Sequence, residues 1–369
     1  MASLVNYLKK NYFDWRTWDN IYRNMKKNQV ELPPFEKKDF NYFSKPGIVF
    51  SFDDSFRVND WYTYGKKIFE DNNVKVTFNI NAFHHYENRR EHNQEEIDML
   101  IDLQSQGHEI AHHGYKHKNA FEYTERFGMK KWIDDEIEPL FDWMENQAHS
   151  KTGEKFKRPV TFAFPHFQTS TEIVNEIVPK YFKLLRGHLA GSNLVPFCHT
   201  GFAPSICIDS LYLSNPANIK KIIKFAEKYH CNLIITCHSL LPDDVSFNMF
   251  GWEMAEHEKR WKTSPKIIES IISEARKNNM TFYTTAEIAG VATFIDRGFE
   301  REVRKLLSKS ENEWILISEL DAITELDLRK IDISHYGGIQ YFSKLKKLYL
   351  KDNQLPSSGI IDKLVKSMS

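Results

Sequence analysis

The chain of 369 residues is long enough for a barrel-sized domain with a smaller appendage. Lys plus Arg and Asp plus Glu each number 50, so the net charge is zero and gives no reason to expect nucleic acid or an anionic membrane as the main partner. No stretch approaches the roughly 18–20 apolar residues of a membrane span. The opening MASLVNYLKKNYFDWRTWDN is broken by Lys, Asp and Arg too early to hold a secretory apolar core, which predicts cytoplasmic residence.

Residues 1–45 read as a helical, aromatic-rich lead-in closed by Pro33-Pro34 and Pro46. From 46 to 297 short β-rich runs alternate with amphipathic stretches. Strands are expected at 47–52, 74–80, 108–112, 160–164, 182–186, 232–237 and 280–284, and helices at 60–71, 93–106, 128–147, 170–178, 216–229 and 264–278. Such alternation argues for an α/β fold with parallel strands, and the absence of a glycine-rich phosphate loop favours a barrel over a dinucleotide-binding sheet. Residues 298–369 begin with a charged helix and continue as a repeat: ITELDLRKIDI (323–333) and LKKLYLKDNQL (345–355), offset by 22 residues, both fit the leucine-rich-repeat pattern, with Asn353 at the ladder position of the second copy and Ile331 in the first. Two copies are fewer than the roughly three an independent solenoid needs, so this unit is expected to pack on the barrel or on its own leading helix.

Four cysteines (Cys198, Cys207, Cys231, Cys237) lack C-x-x-C spacing and read as free thiols. Fifteen histidines and 14% aromatics suit a site that binds metal or stacks on sugar rings.

Asp53 and Asp54 close the first strand, at the edge where α/β barrels gather catalytic groups. Adjacent residues there point in different directions, so one carboxylate is free to bind a cation while the other acts as a base. In GHEIAHHGYKH (107–117), His113 and His117 are four apart. On a helical turn both would grip one ion, and with one carboxylate they make a three-ligand site with open positions, the form of a catalytic metal. His108 and His112, out of phase, read as structural. The strand 232–237 delivers His238 to its C-terminal end.

The order of these pieces resembles the polysaccharide deacetylases, the NodB-like family 4 carbohydrate esterases. The family's T-F-D-D-G appears as SFDDS, G-H-E-I-x-N-H-[ST]-x-x-H as GHEIAHHGYKH, F-A-Y-P-x-G as FAFPHF (162–167) and L-x-x-x-x-H as LIITCH (233–238). The resemblance covers about 47–290 and implies a distorted (β/α)7 barrel. It implies Asp54, His113 and His117 as metal ligands, Asp53 as general base, His238 as general acid, and the backbone N–H of His166, after Pro165, as an oxyanion donor. Zinc is the implied ion, with cobalt, nickel or iron suited to the same donors. The implied reaction is hydrolysis of an N-acetyl, or O-acetyl, group on a poly- or oligosaccharide. Such enzymes usually meet their polymers outside the cell, so an extracellular or cell-surface location also fits.

The sequence departs from the family at Ser55, where the motif has glycine, and at Gly114, where it has Ser or Thr. The family's third-motif Arg is missing around Ala163, and Arg186 is the candidate substitute. The D-x-x-D-W motif that supports the acid histidine is absent, and Asp209 is the candidate carboxylate in its place. His84-His85 follow a strand end, where they could face the cleft mouth, and read first as a solvated pair. Trp61, Phe167, Phe247, Phe250 and Trp252 are candidates for a sugar-stacking rim, against a simpler role in the core. Two other functions fit the same residues: hydrolysis of a non-peptide C–N bond in a small amide, and a catalytically degenerate glycan-binding or scaffold protein. The C-terminal repeat would supply packing or a protein-partner surface.

Overall fold

The computed structural model describes residues 46–178, 180–189, 201–203, 205–210, 216–228 and 232–351. The expected lead-in over 1–45, Cys198, Cys231 and Asn353 lie outside the described residues. Strands β1 (Gly47–Asp53), β2 (Thr77–Ile80), β3 (Glu109–His112), β4 (Thr161–Thr169), β5 (Leu184–Leu189), β6 (Phe202–Ala203), β7 (Ile206–Cys207) and β8 (Leu233–Cys237) form one parallel sheet in the order β6-β5-β4-β3-β2-β1-β8-β7. The pair β9 (Ser239–Leu240) and β10 (Lys262–Thr263) forms a small separate ladder, and β11 (Thr281–Phe282) pairs with the start of β1.

The alternation of β1 shows how sequence sets the two faces. Ile48, Phe50 and Phe52 pack into an apolar layer with Ile97, Leu100 and Ile101 of the helix Gln94–Ser105 and Ile268, Ile271 and Ile272 of the helix Pro265–Lys277. Each such fully buried side chain contributes about 1.5–3 kcal/mol. Val49, Ser51 and Asp53 point the other way. Val49 clusters with Leu184 of β5, Ala203 of β6 and Ile234 of β8, while Ser51 Oγ and Asp53 Oδ1 both accept from Asn79 Nδ2 of β2.

That inner face is curled. β5 and β1 are four positions apart in the sheet, about 19 Å if it were flat, yet Arg186 of β5 reaches Asp53 of β1 at 2.5 Å. The edge strands β6 and β7 are joined through a span of three residues, Ala203 to Ile206, which reaches at most ~11 Å. The result is a distorted barrel, open between β6 and β7, with helices outside. This is the α/β fold expected of the sequence.

Two helices contain π-helical turns, Trp61–Gly65 and Ile133–Ile137, a feature that often marks functional sites. Beyond the barrel strands, β12 (Glu325–Asp327) and β13 (Lys347–Tyr349) pair in parallel with Leu326 opposite Leu348, the same 22-residue offset as the sequence repeat. They share an apolar cluster with Phe294, Phe299, Val303, Ile317 and Phe342. Tyr341 Oη donates to the buried Glu287, and Lys157 Nζ pairs with Glu300 at 2.9 Å, so this cluster is fastened to the barrel segment. Among the described residues no helix is long and apolar enough to cross a membrane.

Candidate active site

β1, β3, β4 and β8 all deliver polar residues to the same end of the barrel, the C-terminal end of parallel strands. Asp54 follows β1 with φ 72°, and His117, His166 and Phe167 also hold positive φ, at 61°, 58° and 64°. Each such non-glycine conformation costs on the order of 1–3 kcal/mol, and their gathering at one place points to function. The turn after Asp54 is made by Asp54 itself; Ser55, in the motif-glycine position, is not among the positive-φ residues.

Asp54 Oδ1 lies 3.1 Å from His117 Nε2, 3.5 Å from His113 Nε2 and 3.8 Å from His85 Nε2. It is buried and has no hydrogen bond of acceptable geometry. Burial pushes the Asp54 carboxyl up, but the neighbouring His117 and His85, with the close approach of the His113 and His117 ring nitrogens, outweigh it and hold the group well below the usual carboxylate range. Burial lowers His117 to about 4 and His85 well below the usual imidazole range. A carboxylate and neutral imidazoles are the forms that ligate a cation.

Asp54, His85 and His117 each offer one ligand atom within 4.8 Å of the others. His113 is the better oriented of the two remaining imidazoles. Its Nδ1 bonds to the Ala163 carbonyl at 2.8 Å, which leaves the Nε2 lone pair facing Asp54, whereas His85 Nε2 is already engaged by Asn81 Nδ2 at 2.8 Å. The orphaned Asp54 oxygen and the surrounding ring nitrogens have the donor chemistry of a divalent-ion site; the compact group is Asp54, His85 and His117, and His113 lies outside it with its Nε2 3.5 Å from Asp54 Oδ1.

Three expectations need correction. His113 and His117 do not share a helical turn: β3 ends at His112 and the two lie in the loop that follows. His84 and His85 are not a solvated pair. His84 is buried, its ring 5.1 Å from Phe56, and His85 packs on the same ring at 4.5 Å. Trp61 and Phe247 are buried core residues and cannot offer a rim; Phe167, Phe250 and Trp252 remain partly exposed.

Asp53 Oδ1 accepts from Asn79 Nδ2 at 2.8 Å and from Arg186 at 2.5 Å. Arg186 also donates to Thr236 Oγ1 and Ser205 Oγ. Ala163 stands directly beside Arg186 in the β4–β5 register, so the missing side chain at 163 leaves room for the guanidinium. His238 Nδ1 bonds to Asp209 Oδ2 at 2.5 Å, and Asp209 Oδ1 accepts from Thr263 Oγ1 and the His238 N–H. Burial depresses the His238 imidazole, but the Asp209 charge and hydrogen bond more than offset it, and the net shift is upward. His238 Nε2 faces Asp54 Oδ2 at 4.0 Å.

Cys207, Asp209 and His238 also lie within 4.8 Å of one another. There the carboxylate oxygens are already filled by four donors, one of them Cys207 Sγ at 3.3 Å, so the group reads as an orienting shell for His238 and not as a second cation site. Cys207 and Cys237 are free thiols. His108 accepts from the Val76 N–H, and His112 bridges the Gly114 N–H and the Ile137 carbonyl; both are structural.

Pro165 is buried, and His166 sits in a bulge where β4 loses register between Ala163 and Gln168, its ring 4.9 Å from that of His117. His85 belongs to the cleft-mouth alternative, and one feature carried no signal in the sequence, Glu136. The Glu136 carboxylate accepts the Lys116 and Lys118 N–H groups at 3.1 Å, and Gly114, where a family-type side chain would stand, has its Cβ position 2.8 Å from Glu136 Oε2.

Residues 41–178 match the family model described as polysaccharide deacetylase. No curated protein sequence matches the chain. Similar solved structures include the catalytic domain of a peptidoglycan N-acetylglucosamine deacetylase from Eubacterium rectale, at 15% identity over 66% of this chain and 91% of that one, with a TM-score of 0.39. The chitin deacetylase of the fungus Colletotrichum lindemuthianum aligns at 12% identity over 66% and 88%, with a TM-score of 0.42. A CE4-family pseudoenzyme from Bacillus anthracis aligns at 13% identity over 67% and 66%, with a TM-score of 0.41.

Proposed function

We propose, for a chain that carries a polysaccharide deacetylase domain matched over residues 41–178, metal-dependent hydrolysis of N-acetyl groups on a poly- or oligosaccharide. The observation that carries this reading is the orphaned Asp54 Oδ1, ringed by imidazole nitrogens, with His238 Nε2 4.0 Å from the other oxygen of the same carboxylate. Asp54, His113 and His117 would hold the ion, and their mixed N/O set suits zinc, with cobalt, nickel or iron as alternatives. A bound divalent ion supplies Lewis-acid polarisation of the amide carbonyl and a nucleophile at neutral pH.

The chain's own groups complete the reaction. Asp53 takes a proton from the attacking water. Its Oδ1 is occupied by Arg186 and Asn79, which leaves Oδ2 as the basic oxygen and fixes its direction. His238, whose hold on a proton Asp209 strengthens, gives a proton to the departing amine, a poor leaving group without it. The N–H of His166, whose ring lies 4.9 Å from that of His117, would serve as the donor to the tetrahedral oxyanion. The partly exposed Trp252 and Phe250, stacked at 4.9 Å, offer a flat apolar surface near the site for a sugar ring. The parallel pairing of Leu326 with Leu348 supports reading 323–355 as a leucine-rich-repeat-like unit that serves packing or a protein partner.

The test is acetate release from chitooligosaccharides and from peptidoglycan fragments, before and after chelation and on re-addition of zinc or cobalt. Release that chelation abolishes and metal restores is the expected result. Stoichiometric metal with no acetate from either polymer would sink the carbohydrate assignment.

A further inference from the structure

Glu136 belongs to a run of acids, IDDEIE, that reads as a solvated helix face. Asp134 and Asp135 behave that way, pairing with Lys130 and Lys131 at 2.6 Å on the surface. Glu136 does not. The π-helical turn Ile133–Ile137 places it inward, and it is 1% exposed. Among the described residues no cationic side chain forms an ion pair with it. Its partners are the backbone of the loop that carries the candidate ligands: Oε2 accepts from Lys116 N and Lys118 N at 3.1 Å each, and its carbonyl accepts from Tyr115 N at 2.9 Å.

His117 lies between those two amides, and Gly114 lies between His113 and His117. Gly114 has φ +78°, and a side chain there would meet Glu136 Oε2 at 2.8 Å. The loop therefore wraps around the carboxylate, with glycine required where the two come closest. A buried carboxylate without a cation is costly, and backbone donors alone could be satisfied by a neutral acceptor. Burial pushes the Glu136 carboxyl up, opposed by the Lys118 and Lys116 amides and the charges of those lysines, so a cation held by the same loop would favour its ionised form.

We propose that Glu136 is the positioning residue of the cation site, fixing the His113–His117 loop through its backbone amides and lending the site a buried negative charge. This rests on the reading of Asp54, His113 and His117 as ligands. It goes beyond that reading in assigning the loop's geometry and part of the site's affinity to a residue that does not touch the ion.

The experiment measures Co(II) affinity of the full chain by competition with a chromophoric chelator, together with the Co(II) d–d spectrum and the melting temperature of the metal-free protein, for wild type, Glu136→Gln and Glu136→Ala. Glu136→Ala is expected to bind about 10–100-fold more weakly, with an altered spectrum. Glu136→Gln keeps an acceptor oxygen and should retain the metal-free melting temperature, yet still lose affinity because the charge is gone. It also decides the matter if the alanine variant does not fold. Wild-type affinity and spectrum in Glu136→Gln and in any folded Glu136→Ala overturn this inference alone. No Co(II) binding by the wild type overturns the cation site itself.

Discussion

Arg186 on β5 and Asp53 on β1 meet at 2.5 Å across the inside of the barrel, with three strands of sheet lying between them around its wall. Both are almost fully buried, so each is the other's compensation for lost water. Removing one partner of such a pair costs about 3–5 kcal/mol, because the other is left as an uncompensated charge. Arg186→Met should therefore lower unfolding stability by roughly that amount. Adding Asp53→Asn to it should recover part of the loss. Urea unfolding of the single and double variants checks this; equal losses in both would show that the pair is not coupled.

The Asp209–His238 contact gives a prediction with a pH signature. Asp209 holds the imidazole in one orientation and raises its affinity for the proton. Asp209→Asn should reduce kcat by about 10²–10⁴-fold, the usual worth of a positioned acid, with little change in KM. The acid works only while protonated, so the rate falls as pH rises through the His238 pKa. With the Asp209 charge gone that pKa drops, and the descending limb should move to lower pH. A descending limb in the same place would show that some other group donates the proton.

Much of the architecture was legible in the chain, and the reasons are physical. β1 and β8 carry apolar runs leading into polar residues, and helices such as Gln94–Ser105 and Pro265–Lys277 show clear apolar stripes. Arg186 and Asp209 were found another way, as the nearest residues able to stand in for the family's missing third-motif Arg and D-x-x-D-W motif. What stayed hidden depends on distant context. The two-residue strands β6, β7, β9 and β10 have no period to read. The helix Ala120–Phe127 buries only Ala120 among its residues and so shows no apolar face. The inward turn of Glu136 arises from a π-helical register that an acid-rich string does not announce. His85 looks like a surface histidine until Phe56 and Asn81 are placed beside it.

The two histidines that compete for the third position near Asp54 can be separated by metal affinity. His113 Nε2 is presented by the Nδ1 bond to Ala163, while His85 Nε2 must give up its Asn81 partner to bind. His113→Ala should weaken Co(II) binding by more than the ~10–100-fold typical of an outer-sphere partner, and His85→Ala by less than ~10-fold. Chelator competition reads both. The reverse order would make His85 the ligand and His113 a bystander.

Asp60 yields a stability prediction independent of the chemistry. It is buried beside Arg57 and Ser239, and its Oδ2 has no hydrogen-bond partner. Burial raises its pKa to about 6, only partly opposed by the Ser239 hydrogen bond and the Arg57 charge. The folded protein thus binds the Asp60 proton more tightly than the unfolded chain does. The corresponding stability is fully present below the unfolded pKa near 4 and is lost as pH rises through about 6. A shift of this size corresponds to about 3 kcal/mol. Asp60→Asn removes the ionisation while keeping the shape, so it should be the more stable protein above pH 7, by up to about 3 kcal/mol. The advantage should shrink as the pH falls through 6 and vanish near 4, where the native carboxyl is neutral too. Paired melting curves across that range give the answer: a constant difference would mean that the Asp60 pKa does not change on folding, and one that grows toward acid that Asp60 is ionised and stabilising where it sits.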